Sequence, residues 1–484
     1  MAEPEIKGRY NLRKRRKIYA SNNLVDRISV LPDEILVSVL SLLPLKEAQA
    51  TCVLSKRWHC VWASLMALNF DTNKRLSCLK GLKPKARDLE LIHRYVGWVN
   101  SVVEQHKGPR IDQFRVSYFL NEKFSSSIDK WIEFALRKGV QMLELNLLEY
   151  AYYCTIRPGY AFPHKLLGLN VEESSSSRKE ESARKHLCPD SPSHQPCVCV
   201  GFKSLRVLTL ECVDISGEVL EYFLRSCPVM ERVSVYGSSK LVNLRVVSPS
   251  FALKYLVIQR CSNIESIEIV DAHIVSFAYD GGEKIRLRLE NVPLLVEVSI
   301  QEHREYYSFL SMDVLFASLS SYISQLEILK MNNTILYCKE YYVVPMLPNL
   351  KYLGLSFKDD EALMQLALFL KASPYLQRLV IHLHYSVSNR KKRHFTNKRA
   401  AKCSHHYLKK VELVGYDCST REDELVKYLI KTAINLEQIV IDPARRWLYR
   451  LPKRQDAARR EEQARVHFRQ LKVDLPLTTE FVCL

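Results

Sequence analysis

Apolar residues along this chain recur with two periods, one helical and one strand-like. Near the amino end Ile35, Leu36, Val39, Leu40 and Leu43 follow helical spacing and make one broad apolar face. Pro32 suits a first helical turn, Asp33 and Glu34 suit the positive end of the helix dipole, and Pro44 stops the helix. A second helix is predicted from Leu45-Lys46-Glu47. Ser55 can cap a third, which carries Trp58 and Trp62 four residues apart. Three short helices in about 45 residues cannot bury so much apolar surface alone. The leftover face calls for a partner. Residues 88–106, with Leu89, Ile92, Tyr95, Val96, Val99 and Val103, predict a longer amphipathic helix joining this module to the rest of the chain.

Farther along, short alternating runs take over: Gln141–Leu147, Leu205–Leu210, Leu253–Ile258, Leu326–Met331, Leu350–Leu355, Leu376–Ile381, Leu408–Leu413 and Leu436–Ile441. The last five start 24, 26, 32 and 28 residues apart. A unit of ~20–29 residues reading L-x-x-L-x-L resembles the leucine-rich repeat, in which each unit buries its open side on its neighbours. Helical connectors are predicted at Ala362–Leu370 and Glu424–Ile434. Between 230 and 300 the candidate strands Glu231–Tyr236, Val242–Val247 and Glu265–Val270 sit closer together, so that region should be strand and turn with little helix. The expected Asn or Cys after the last hydrophobic position occurs only as Cys261, which predicts an irregular solenoid. Thr209, Glu211, Tyr255, Gln259, Tyr352, Arg378, His382 and Glu412 fall between core positions and should line the open face of a parallel sheet. They are chemically mixed, which suits recognition of a protein surface.

Two segments resemble known families. Leu31-Pro32-Asp33-Glu34-Ile35-Leu36, then Leu40-Ser41-Leu42-Leu43-Pro44, then Leu54-Ser55-Lys56-Arg57-Trp58 with Trp62, resemble the F-box in its plant form. That resemblance implies docking on the Skp adaptor, and through it on a cullin scaffold, in an SCF-type ubiquitin ligase. It implies that Leu31, Pro32, Ile35, Leu36, Leu40 and Leu43 meet the adaptor, with Leu54 and Trp58 divided between that contact and the module's own core. Residues 405–443 read strand–helix–strand. Their Val414-Gly415-Tyr416 turn, Glu424-Leu425-Val426 helix and Leu436–Pro443 close resemble the FBD element that comes after leucine-rich repeats in plant F-box proteins. The expected fold class is α/β, a three-helix F-box followed by an irregular leucine-rich-repeat solenoid with a parallel sheet. The expected segments are a basic disordered tail (1–24), F-box (25–70), helical linker (71–110), repeats (111–402, with a disordered loop at 171–200), FBD-like unit (403–443) and basic extension (444–484). Glu480–Leu484 is a candidate last strand.

Charge changes the picture less than its total suggests. The chain carries +18, but residues 1–20 hold +5, 385–402 hold +7 and 445–472 hold +7, leaving about −1 for the rest. A DNA-binding fold concentrates its charge on one helix or face. Arg13-Lys14-Arg15-Arg16-Lys17 suits nuclear import on an extended chain, and a solvated basic arm is the plainer reading. The nucleus, the cytoplasm or both are the expected locations. Arg390-Lys391-Lys392-Arg393 reads as a repeat-to-repeat loop. No apolar run of about 18 residues predicts a membrane span. The basic start lacks the apolar core of a secretion signal, and Cys483 stands too close to the end for a prenylation box.

Catalytic chemistry finds little support. There is no Gly-rich phosphate loop, nucleophile elbow or metal motif, and no cofactor is expected. His186, Cys188, His194, Cys197 and Cys199 supply zinc-ligand types in the Ser-rich loop Glu172–Pro196, but their spacing matches no paired knuckle, so no metal is expected. Cys52 and Cys60 are expected to be packed thiols on the module's helices. The F-box resemblance, taken with the repeats, implies a non-catalytic subunit that holds a protein target of unknown identity while the scaffold delivers ubiquitin. The alternative is a basic nuclear or RNA-binding scaffold without a ligase role.

Overall fold

The computed structural model describes residues 28, 30–71, 86–147, 160–164, 203–247, 252–281, 285–302, 312–332, 343–357, 362–383, 404–416, 420–443, 459, 462–467 and 479–484. The Arg13–Lys17 cluster, the cysteine-containing loop Glu172–Pro196 and the basic run 385–402 lie outside these residues. The chain divides into two compact units, Met1–Trp62 and Ala63–Leu484.

Among its described residues the first unit holds three helices, α1 (Asp33–Ser41), α2 (Leu45–Ala50) and α3 (Lys56–Trp62), with a 3-10 turn at Thr51–Val53. Pro32 at φ −57° sets the chain for α1, whose first turn carries Asp33 and Glu34. Ser55 caps α3, its Oγ accepting from the Trp58 backbone N–H at 3.3 Å. The three helices pack on one another, with Leu36, Leu40, Leu45 and Ala48 buried.

The second unit is a stack of parallel strands. It opens with β1 (Ala67–Asp71), α4 (Ala86–Gln105), β2 (Gln113–Ser117), α5 (Ser125–Arg137), β3 (Met142–Asn146), β4 (Val207–Glu211) and α6 (Gly217–Ser226). A run of strands alone comes next: β5 (Arg232–Tyr236), β6 (Asn243–Val247), β7 (Tyr255–Gln259), β8 (Ser266–Val270), β9 (Ser276–Gly281), β10 (Arg286–Glu290) and β11 (Glu297–Glu302). Helices return with α7 (Met312–Leu319), β12 (Ile328–Asn332), β13 (Tyr352–Phe357), α8 (Ala362–Ala372), β14 (Arg378–Leu383), β15 (Lys410–Val414), α9 (Thr420–Thr432), β16 (Gln438–Asp442) and β17 (Glu480–Cys483). Among the described residues, fourteen strands form one parallel sheet in chain order, skipping β6, β8 and β10, which pair as a separate three-stranded sheet. Between β5 and β11 strands therefore replace helices behind the main sheet, as the tight spacing there predicts.

Register tracks the repeat spacing without slips. Ile328, Tyr352, Arg378, Lys410 and Gln438 stand side by side, separated by the 24, 26, 32 and 28 residues read from the sequence. The strands start two residues later than the first leucine of each run. Leu205, Leu326, Leu350, Leu376 and Leu408 instead fill the turn before the strand, where each is fully buried. One carbonyl in each such turn accepts two successive N–H groups from the next repeat: Gln141 O from Arg206 and Val207, Lys351 O from Gln377 and Arg378. The far ends repeat too. The residue directly after β4, β5, β7, β8, β10 and β15 is left-handed: Cys212 (φ 56°), Gly237 (73°), Arg260 (51°), Asp271 (53°), Asn291 (48°) and Gly415 (86°). Side chains at Cys212 and Arg260 make that corner cost about 1 kcal/mol or more each, which the surrounding stack must offset.

Two features differ from the expectation. The sheet begins at Ala67, inside the stretch grouped with the helical module, because β1 pairs along its whole length with β2. The helix expected as a linker is therefore the connector of a first repeat. Its Tyr95 and Trp98 pack on the β1 side, with Tyr95 Oη donating to Phe70 O at 2.9 Å and the Trp98 ring 5.1 Å from that of Phe70. The strand–helix–strand predicted at 403–443 is present as β15, α9 and β16, and the candidate last strand is present as β17.

Candidate functional site

In α1 the apolar arc is about 160° wide at ~100° per residue, and its two sides have different fates. Leu36 and Leu40 face inward and are only 1% exposed. Ile35 and Val39 look outward, and the arc continues to Leu42, which is 84% exposed. Leu43, Val53 (82% exposed) and Leu54 add to the exposed apolar set, as do Ile28 and Val30. Residues 28–54 thus hold eight of the 22 exposed large apolar side chains among the described residues. Scattered exposed leucines are ordinary on a protein surface; this density within a small module is not.

The structure divides the expected contact set into exposed and buried members. Ile35, Leu43 and Leu54 are exposed, Pro32 is exposed, and Leu31 and Trp58 are half-buried. Leu36 and Leu40 are buried in the module's own core. Val39, Leu42 and Val53, which lie outside the expected set, are exposed as well. The first two come four and seven residues after Ile35, so the helical period contained them. Cys60 is exposed, not packed, and Cys52 is half-buried. Arg57 braces the module: its Nε donates to Asp33 Oδ1 at 2.8 Å and its guanidinium also donates to Leu31 O.

The open face of the main sheet is the second candidate surface. Thr209, Glu211, Tyr255, Gln259, Tyr352, Arg378, His382 and Glu412 all occupy its outward register positions, as expected. Opposite charges on neighbouring strands pair across it. Arg115 lies 3.5 Å from both Asp71 and Glu144, Lys330 is 2.5 Å from Glu297, and Arg378 is 2.9 Å from Glu412. Tyr352 sits between Lys330 and Arg378, each about 5.5 Å from its ring centre. Burial raises the Glu211 carboxyl above its ordinary range, opposed by Arg115 and assisted by Glu144. Burial lowers His382, against the pull of Glu412 and Asp442. These are half-buried polar ladders with a few aromatic anchors.

Burial pushes the Cys227 and Cys261 thiols up to about 12, the reverse of an activated nucleophile. Among the described residues no group of three or more His, Cys, Asp or Glu side chains could hold a metal ion.

A small helical unit with an uncovered apolar face, ahead of a parallel repeat stack with a polar open face, defines a repeat-based interaction protein. Residues 28–68 match the F-box domain, and residues 102–469 match the leucine-rich-repeat domain family described as At1g61320/AtMIF1, LRR domain. The chain belongs to the F-box/leucine-rich-repeat family. The putative F-box/LRR-repeat protein At3g42770 of Arabidopsis thaliana is 25% identical over 428 residues, 83% of this chain and 72% of that one. The FBD-associated F-box protein At5g60610 of the same plant is 26% identical over 427 residues, covering 84% and 97%. The putative F-box/LRR-repeat protein At3g28410 is 30% identical over 223 residues, and there the match spans only 46% of this chain and 40% of the relative.

Proposed function

We propose that this chain recruits protein targets to an SCF-type ubiquitin ligase. The outward side of the α1 arc, with Leu42, Val53 and Leu54, docks on an Skp adaptor that joins a cullin scaffold. A target protein is held on the solenoid, where its lysines reach a ubiquitin-charged enzyme by proximity. Tethering raises the effective concentration of the two reactants, so the chain itself contributes no catalytic residue. The observation that carries this reading is the exposed apolar set of residues 28–54 in a module matching the F-box domain. Each such side chain contributes roughly 1.5–3 kcal/mol gross when fully buried, so a handful drives association after entropic costs. Import through Arg13–Lys17, which places the chain in the nucleus as well as the cytoplasm, is part of the same proposal.

Co-purification from plant cells tests it. The tagged chain should bring down the Skp adaptor and cullin, and Ile35→Asp/Leu54→Asp should lose both while the solenoid stays folded. Equal recovery with that variant would overturn the reading.

A further inference from the structure

One turn position in the solenoid has a recurring job. Three residues before a strand, an amide side chain ties its repeat to an earlier one. Asn263 donates to Ser239 O at 2.8 Å, Gln325 to Val292 O and Leu295 O at 3.1 and 3.0 Å, Asn349 to Ser324 O at 2.6 Å, and Asn435 to His406 O at 2.8 Å. The same position before β14 and β15 holds Tyr375 and Tyr407. Neither ring is used as a brace: each is 50% exposed, and they meet edge to face with centroids 5.0 Å apart.

The neighbouring turns extend this pair. Leu347 N–H bonds Ala372 O at 2.8 Å, which brings the exposed Met346 beside the turn leading to Tyr375. Ile434 N–H bonds His405 O at 3.0 Å, which brings the exposed Ile434 beside the turn leading to Tyr407. Four large apolar side chains thus run along one rim of four consecutive repeats. Charge on this rim is lopsided. Lys351 pairs with Glu327 and Lys409 with Glu437, both at 2.8 Å, whereas Lys371, Lys410 and Lys431 have no ion pair among the described residues. Lys371 and Lys431 end α8 and α9, the helices whose last carbonyls bond those turns.

We propose that this rim, centred on Tyr375 and Tyr407, docks a short acidic segment of a partner protein through a bulky apolar side chain flanked by Asp or Glu. Two rigid aromatic anchors supply contact area at low entropic cost, and the unpaired lysines favour carboxylates around it. The edge-to-face packing of the rings, with Met346 and Ile434 beside them, favours an aliphatic or aromatic side chain over the parallel stacking that single-stranded RNA uses. The rim is separate from the F-box and does not depend on ligase assembly.

The test is fluorescence anisotropy on the full chain. Its probe is a fluorescein-labelled pool of dodecapeptides carrying Asp and Glu around a central Phe, Trp or Leu. The intact chain should bind the pool, and binding should weaken about tenfold or more in Tyr375→Asn/Tyr407→Asn, which restores the bracing amide and so protects the fold. Lys371→Glu/Lys410→Glu should weaken it too, and a pool with Asn and Gln in place of the acids should bind poorly. The proposal is overturned if the intact chain ignores the acidic pool, if the tyrosine variant binds it equally, or if oligouridylate outcompetes it through the same tyrosines. Loss of adaptor docking alone leaves these outcomes unchanged, so this test and that of the ligase role fail separately.

Discussion

Asp280 lies 3.6 Å from Arg260 across the end of the sheet, yet its carboxyl is pushed up to about 6. Burial outweighs the ion pair: Asp280 is 7% exposed, and its Oδ1 has no hydrogen-bond partner. Arg260 meanwhile occupies the left-handed corner after β7, with its guanidinium 5.5 Å from the Tyr236 ring centre. A folded value above the unfolded one sets the sign. The contribution of this group to stability is fully present below pH about 4 and lost as the pH rises through about 6.

Asp280→Asn should therefore stabilise the protein at pH 7.5, by about 1–3 kcal/mol after the lost pairing with Arg260 is counted. The advantage should shrink toward zero at pH 4. Thermal melts of both proteins at pH 4, 6 and 7.5 check this; a wild type more stable at pH 7.5 contradicts it.

Two buried histidines act in the opposite sense. His106 Nε2 contacts Leu65 O at 2.9 Å and His405 Nε2 contacts Leu370 O at 3.0 Å. Burial lowers the pKa of both rings, only partly countered by those carbonyls. Their contribution is present above pH 6.5 and lost as the pH falls toward their lowered folded values. In His106→Gln/His405→Gln, an amide N–H can replace each ring N–H, and the melting temperature should drop less between pH 7.5 and 5.5 than in the wild type. Parallel slopes for the two proteins would count against neutral, donating rings.

Gly217 opens α6 where the strand behind it comes close. A Cβ there would stand 1.9 Å from the Asn243 carbonyl oxygen, a backbone atom that cannot rotate away. Gly217→Ala should lower the urea midpoint of the solenoid, by about 1–3 kcal/mol in stability. Far-UV circular dichroism reads the outcome, and an unshifted midpoint would mean that α6 and β6 part at little cost.

Roles that recur periodically along the chain are legible in its sequence, and roles that occur once are not. The buried leucines of L-x-x-L-x-L fixed the register from Ile328 to Gln438, because a one-residue slip would turn Leu329 and Leu353 outward. The offset of two residues was hidden, since Leu205 and Leu376 look like strand residues but fill turns. Strand β1 was hidden because Ala67–Asp71 is short and carries Asn69 and Asp71. In α1 the pattern showed an apolar arc without saying which side faced the core, so Leu36 and Leu40 were grouped with Ile35. Left-handed corners at Cys212 and Arg260 carry no glycine and left no local signature, whereas Asn291 is a residue that favours that conformation. The open-face positions need only strict alternation, which the sequence shows directly.

The most direct measurement is a calorimetric titration of purified Skp adaptor into the full chain and into Leu42→Asp/Val53→Asp. These two side chains are exposed, so the variant should keep the wild-type melting temperature. The variant should lose about a hundredfold or more in affinity, as expected when two apolar contacts worth roughly 1.5–3 kcal/mol each are removed. Adaptor binding of equal strength to both proteins would contradict it.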